Sequence, residues 1–204
     1  MFCLTTATDT QWAPLVLADL PRLLADHAHC ELKAASNALS LVPRLIDHPP
    51  VTQALSELAR EELLHYEAVL ALLQRRGWRL GPPLEDTYAV ELRKAVQKLP
   101  KDPTLPAAVD RLLVAALIEA RSCERFKLLI EALEASNVDA EVLALYKDLF
   151  PSEARHYVTF VDLAASCLGG DRRRVEARVE LLAQEEGRIV ERLAAEGDRC
   201  VVHG

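Results

Sequence analysis

A chain of 204 residues, half of them hydrophobic, is long enough to bury one core and too short to require a second domain. Its formal net charge of -7 excludes a protein that coats nucleic acid through a uniformly basic surface, but leaves room for a local basic face. Five scattered cysteines (Cys3, Cys30, Cys123, Cys167, Cys200) without a CxxC pair exclude a disulfide framework or a zinc knuckle and read as reduced thiols.

The expectation is one all-α domain over residues 1–204. Leu, Ala, Glu and Arg dominate, the balance of helices rather than strands. No stretch approaches the roughly 18 apolar residues of a membrane span. No basic stretch followed by an apolar signal core opens the chain, so a cytoplasmic protein is expected.

In chain order, Pro21 opens a helix predicted over about 20–46 that ends before "DHPP". A second is predicted over 51–76, stopped by Gly77 and "GPP" at 81–83. Residues 77 to 105 form a long, proline-rich connection holding one short helix at about 87–98. Helices over 106–135 and 140–167 follow, then "LGGD" and a strongly charged helix over 172–196. Two helices, a crossover and two more helices make a ferritin-like four-helix bundle with one long crossover and an accessory C-terminal helix.

Alternating steps of four and three along the second helix give Val51, Leu55, Leu58, Glu62, His65, Val69 and Leu72. The fourth gives Val142, Tyr146, Leu149, Glu153, His156, Phe160 and Leu163. In both, a Glu-x-x-His interrupts an apolar seam that faces the bundle. The third helix carries one acid on its seam, Glu119, and the first carries Glu31. Glu124 is the rival to Glu119, but its neighbours one heptad away, Leu117 and Glu131, and nearby Arg121 make a more polar stripe.

Isolated carboxylates in an apolar interior cost many kcal/mol, and four together repel one another unless protonated or met by cations. One Glu from each of two helices and a Glu-x-x-His from each of the other two is the donor set of a di-iron or di-manganese carboxylate site. Oxygen and nitrogen donors without sulfur suit iron or manganese better than structural zinc. The expected ligands are Glu31, Glu62, His65, Glu119, Glu153 and His156.

Other residues carry weaker signals. Tyr66 and Tyr157 follow the two His and read mainly as packing; Glu61 reads either as an acceptor for the second ring N–H of a ligand His or as a solvated surface acid. His27 and His29 read as local packing or cavity wall, and His48 and His203 as exposed. Pro151 should kink the fourth helix just before Glu153. Basic residues gather at Arg75, Arg76 and Arg79, at Arg93, Lys94, Lys98 and Lys101, and at Arg172, Arg173 and Arg174. These read as solvated helix ends unless the fold brings several beside a bundle opening.

"DHAHCELKAASNALSL" at 26–41, "AREELLHYE" at 59–67, "LIEARSCERF" at 117–126 and "SEARHY" at 152–157 together resemble the bacterial tRNA-(2-methylthio-N6-isopentenyladenosine) hydroxylases. The resemblance implies a non-haem di-iron monooxygenase with two iron ions, using O2 and external electrons from a reductase. Its substrate is the isopentenyl side chain of the hypermodified adenosine beside the anticodon, so the tRNA anticodon stem-loop is the expected partner. It implies the same six ligands; Arg121 and Arg125 are candidate substrate contacts near a mouth, and Ala34, Ala35 and Ala38 read first as small helix-packing residues and second as room for the prenyl group. A monomer or small oligomer fits this reading. The alternatives are a ferritin-like iron-storage or peroxide-detoxifying protein, which needs a many-subunit shell, and a metal-free helical bundle that binds partners.

Overall fold

The computed structural model describes residues 2–196; Cys200 and His203 lie outside the described residues. A short helix α1 (Trp12–Leu17) precedes α2 (Leu20–Leu41), which tightens into a 3-10 turn at Val42–Arg44. Then come α3 (Pro49–Arg75), α4 (Thr87–Val96), α5 (Ala107–Ser136), α6 (Ala140–Cys167) and α7 (Arg172–Glu196). No strand occurs among the described residues.

Helix starts follow local chemistry. Asp19, Asp86 and Asp139 each accept a backbone N–H of the first turn they cap, from Arg22, from Ala89, and from Glu141 and Val142. Gly77 ends α3 with φ +67, while Trp78 N–H reaches back to the Leu73 carbonyl over 2.9 Å, the bond that closes a helix through a left-handed residue. Two expectations shift: α2 stops at Leu41 rather than near residue 46, and α1 adds an unexpected helix. α6 runs helical through Pro151, as its predicted span requires. Pro151 and Lys147, whose carbonyl loses its helical donor, are both exposed, so water can take that place.

α2 packs along α3 and α5 along α6, and α3 meets α6 to close the four-helix bundle. α4 and α7 pack together over α5. The bundle core falls into two apolar halves. One gathers Leu41, Leu55, Leu58, Leu112, Leu117 and Phe160. The other gathers Leu24, Val69, Leu72, Phe126, Tyr146 and Leu149. Along every bundle helix the seam acids lie between the residues of one half and those of the other, so they meet at mid-height, walled by hydrocarbon above and below.

α7 is charged yet firmly attached. Its Arg178 sends two guanidinium bonds to Asp110 of α5, over 2.7 and 2.8 Å. Its Glu186, fully buried, accepts Arg121 Nε and Nη2 over 2.9 Å each and the Tyr88 hydroxyl over 2.9 Å. Gly187 leaves space for the N-terminal segment: a Cβ there would sit 2.4 Å from Thr5 Oγ1.

Candidate metal centre

Glu31 of α2, Glu62 and His65 of α3, Glu119 of α5, and Glu153 and His156 of α6 converge, each no more than 7 % exposed. One donor atom from each of Glu31, Glu62, His65 and Glu153 lies within 4.8 Å of the others, and the same holds for Glu62, Glu119 and His156. Glu62 belongs to both groups. The i, i+3 spacing puts each Glu and His of a pair on one helical face. His65 Nδ1 lies 3.5 Å from Glu62 Oε2 and 3.6 Å from Glu31 Oε2, and His156 Nδ1 lies 2.9 Å from Glu62 Oε1.

Electrostatics show what the cluster lacks. Burial, then repulsion from Glu153, Glu62 and Glu31, pushes the Glu119 carboxyl well above the carboxylate range. Burial and the charges of Glu31 and Glu62 do the same to Glu153. Burial would lower His65 and His156, but the negative carboxylates beside them raise His65 to about 10 and His156 to about 9. Without a cation the site collects protons instead. Glu62 Oε1, His65 Nδ1, Glu153 Oε1 and His156 Nδ1 are buried and enter no hydrogen bond. Buried donor atoms with free lone pairs, converging from oxygen and nitrogen and without sulfur, fit metal ions of the iron or manganese kind.

The surroundings resolve the remaining candidates. Glu124 turns away from the cluster, accepting the Thr8 hydroxyl over 2.6 Å and bonding Arg121. Glu61 Oε2 stands 3.2 Å from His156 Nε2, the outer-partner position expected of it, and also pairs with Arg155. Tyr66 packs in an apolar half of the core, and the Tyr157 ring lies 4.3 Å from that of Phe2. His29 bonds the Gly81 carbonyl over 3.1 Å at the rim of a cavity. Arg121 and Arg125 are corrected: neither is at a mouth. Arg121 is fully buried between Glu186, Glu124 and the Thr6 carbonyl, and Arg125 is buried with its guanidinium 5.1 Å from the Trp12 ring centre.

One neighbour escaped the sequence reading in this role. His27, fully buried, bonds Glu31 Oε1 from Nε2 over 2.6 Å, and its ring stacks on Tyr146 with centroids 5.3 Å apart. Its signal was the four-residue interval to Glu31, which puts both on one face.

A cavity of about 820 Å³ reaches the cluster, with Glu31, Glu62, Glu119 and Glu153 in its wall. Val114, Ala115, Ile118 and Phe160 give it an apolar side, and Ala34 also borders it. Ala35 and Ala38 are instead buried in helix packing.

A four-helix bundle of this connectivity, closed around four carboxylates and two imidazoles, is a ferritin-like fold with a carboxylate-rich centre of the metal-binding kind. Residues 2–198 match the family model for MiaE, tRNA-(ms2io6A)-hydroxylase. The chain belongs to that family. It is 42 % identical over 184 residues to a tRNA 2-(methylsulfanyl)-N(6)-isopentenyladenosine(37) hydroxylase of Pseudomonas putida, covering 90 % of this chain and 84 % of the relative. A protein of the same description from Salmonella typhimurium is 29 % identical, covering 84 % of this chain and 77 % of its own length. Among solved structures, a Synechococcus protein described as having aldehyde deformylating oxygenase activity superposes with a TM-score of 0.84 at 36 % identity, covering 100 % of this chain and 96 % of its own. No described helix is long and apolar enough to cross a membrane.

Proposed function

We propose that this chain is an O2-dependent di-iron monooxygenase that hydroxylates the isopentenyl side chain of 2-methylthio-N6-isopentenyladenosine next to the anticodon of tRNA, in the cytoplasm. The observation that carries the reading is the shared-Glu62 cluster at the inner end of an apolar-sided cavity. Glu31, Glu62, His65 and Glu153 would hold one iron ion, and Glu62, Glu119 and His156 the other. Bound iron would supply the activation of O2, with electrons delivered by a reductase.

The chain's own residues do the rest. Val114, Ala115, Ile118 and Phe160 offer the prenyl group a hydrocarbon wall and keep water away from the reacting carbon. His27 holds Glu31 in one orientation. Burial of all six donors keeps the centre dry on the sides that face the two apolar halves. A base splayed from the anticodon loop reaches such a cavity far more readily than a base stacked in a duplex.

The test is mass analysis of nucleosides from prenylated tRNA after incubation with iron-loaded, reduced protein and O2. The expected product is heavier by one oxygen, and Glu153→Ala abolishes it; prenylated adenosine that gains no oxygen refutes the reading. The full-length likeness to the Synechococcus protein favours a second reading, loss of the formyl group from an aliphatic aldehyde. Formate released from a medium-chain aldehyde by the same preparation, with tRNA unmodified, would select it.

A further inference from the structure

Many surface arginines here are already engaged, while Arg22, Arg60, Arg79 and Arg173 form no ion pair among the described residues. Arg75 and Arg76 pair with Glu141 and Asp139, Arg172 with Asp162, Arg174 with Asp102, and Arg192 with Glu91. Three others come together from three separate elements: Arg44 of the 3-10 turn, Arg93 of α4 and Arg111 of α5. Arg93 and Arg111 line the large cavity whose inner wall holds the carboxylate cluster. Arg111 also lines a second cavity of about 300 Å³, together with Arg44 and His48. Among the described residues none of the three guanidiniums forms an ion pair; Arg111 donates only to the Ser40 hydroxyl, over 2.7 Å. The nearby acids of the large cavity are taken, Asp86 by Lys33 and Asp110 by Arg178. Asp47 borders the smaller cavity without pairing.

Three like charges held together without counter-ions oppose folding. Burial, then the charges of Arg44 and Arg93, holds Arg111 below the usual arginine value, so both lie within electrostatic reach of it. Arg111 is half-buried and fixed by Ser40, whereas Arg44 and Arg93 are exposed and free to meet a ligand on either side of it. The first turn of α5 borders the smaller cavity with no side-chain cap, so its dipole adds to the same positive field. In a chain of net charge -7, this patch is the place where a polyanion meets attraction rather than repulsion.

We infer that Arg44, Arg93 and Arg111 form a phosphate clamp that grips the RNA backbone on either side of the modified adenosine while its base enters the large cavity. The clamp rests on the proposed tRNA substrate and adds which residues hold it. Arg93 and Arg111 stand where the cavity begins, so a phosphodiester on them leaves the attached base facing inward. Arg44 and His48, across Arg111, receive the next phosphate along the strand. The contacts read backbone charge and carry no sequence preference.

The experiment measures binding of a synthetic anticodon stem-loop RNA to the full chain by fluorescence anisotropy over a series of salt concentrations. The variants are R44Q/R93Q/R111Q and a charge-matched control, R75Q/R76Q/R79Q. Arg75 ends α3 and Arg76 and Arg79 follow it, so the control lies about 40 Å along that 27-residue helix from the end near Arg44. Removing three phosphate contacts should weaken binding at least about tenfold near 0.1 M salt and reduce the log–log salt slope by about 2 to 3. R44K/R93K/R111K, which keeps all three charges, should retain much of the wild-type affinity. The clamp variant must keep the wild-type thermal midpoint to within a few degrees.

Equal weakening in the two triple variants would mean the RNA feels only total charge, and overturns the clamp. So does a nucleoside monophosphate that competes as tightly as the stem-loop, since a single phosphate would then suffice. A wild type that hydroxylates tRNA while the clamp variant keeps its slope removes the clamp alone. A wild type that neither binds the stem-loop nor hydroxylates tRNA removes the functional reading with it.

Discussion

His27 donates from Nε2 to Oε1 of Glu31 over 2.6 Å, with its ring held between the Tyr146 face and the Phe126 edge. Glu31 is thereby the one acid of the cluster that stays ionised with ease: burial would raise its carboxyl, and hydrogen bonds from His27 and His65 hold it well below the usual range instead. A carboxylate fixed in charge and orientation is a prepared ligand. His27→Phe keeps the aromatic packing and removes the donor, so metal affinity should fall about 10- to 100-fold, the usual cost of losing an outer-shell partner. Titration of the metal-free protein with ferrous ion measures this; an unchanged dissociation constant would show that packing alone fixes Glu31.

Glu119 has the opposite character. It is buried among three other acids, so in the metal-free chain it must take up a proton, at a cost. Glu119→Gln keeps the neutral shape without that cost. The metal-free variant should therefore be more stable by about 1 kcal/mol, a rise of roughly 2–4 °C in midpoint for a chain of this size. Its iron content should drop from about two per chain to about one, because only the group of Glu31, Glu62, His65 and Glu153 remains complete. Calorimetry without metal and elemental analysis after loading check the two halves separately. A less stable metal-free variant would mean that Glu119 is held by bonds rather than strained by charge.

The seams were legible because a helix repeats its core face every three or four residues, and Glu62, His65, Glu153 and His156 sit on that repeat between apolar neighbours. The aspartate caps at Asp19, Asp86 and Asp139 were equally local. What escaped reading depends on contacts distant in sequence. Arg121 meets Glu186 across 65 residues, and nothing near either residue announces that pairing. Helix α1 is too short for periodicity to show, and its "WAPLVL" includes a proline. Pro151 stands on the exposed face of α6, where water can replace the lost N–H, a placement that the residue's position in the sequence did not announce. Arg44 and Arg111 stood in no basic run, so only the fold brings them beside Arg93.

The N-terminal segment should respond to acid. Thr8 donates both its backbone N–H and its hydroxyl to Glu124, over 3.0 and 2.6 Å. Burial would raise the Glu124 carboxyl, but Arg121 and the Thr8 bonds lower it. A carboxyl lowered on folding contributes stability that is fully present above its unfolded value, near 4.5, and is lost as pH falls through the lower folded value. Glu186, also facing Arg121, is raised by burial and has the opposite sign, so global stability is a poor probe. Amide exchange at Thr8, corrected for intrinsic rates, reads the tether directly. Protection should hold at pH 6 and fade below about 4.5. Glu124→Gln should show little protection at either pH, and a pH-dependent loss that persists in that variant would assign the effect elsewhere.

The Arg121–Glu186 pair supports α7 from inside the molecule, since both side chains are fully buried. Its net contribution against a hydrophobic pair is small, because desolvating two ions offsets most of their attraction. Breaking one side is another matter. Arg121→Met leaves Glu186 buried with only the Tyr88 hydroxyl, and should cost about 3–5 kcal/mol. Glu186→Met leaves Arg121 with Glu124, Thr8 and the Thr6 carbonyl, so its cost should be smaller. The double variant removes the stranded charge and should be more stable than Arg121→Met alone, with a coupling of about 1–3 kcal/mol. Urea unfolding of the four proteins completes the cycle. Additive losses would show that the two ends act independently and that α7 is held by its apolar face and by Arg178 on Asp110.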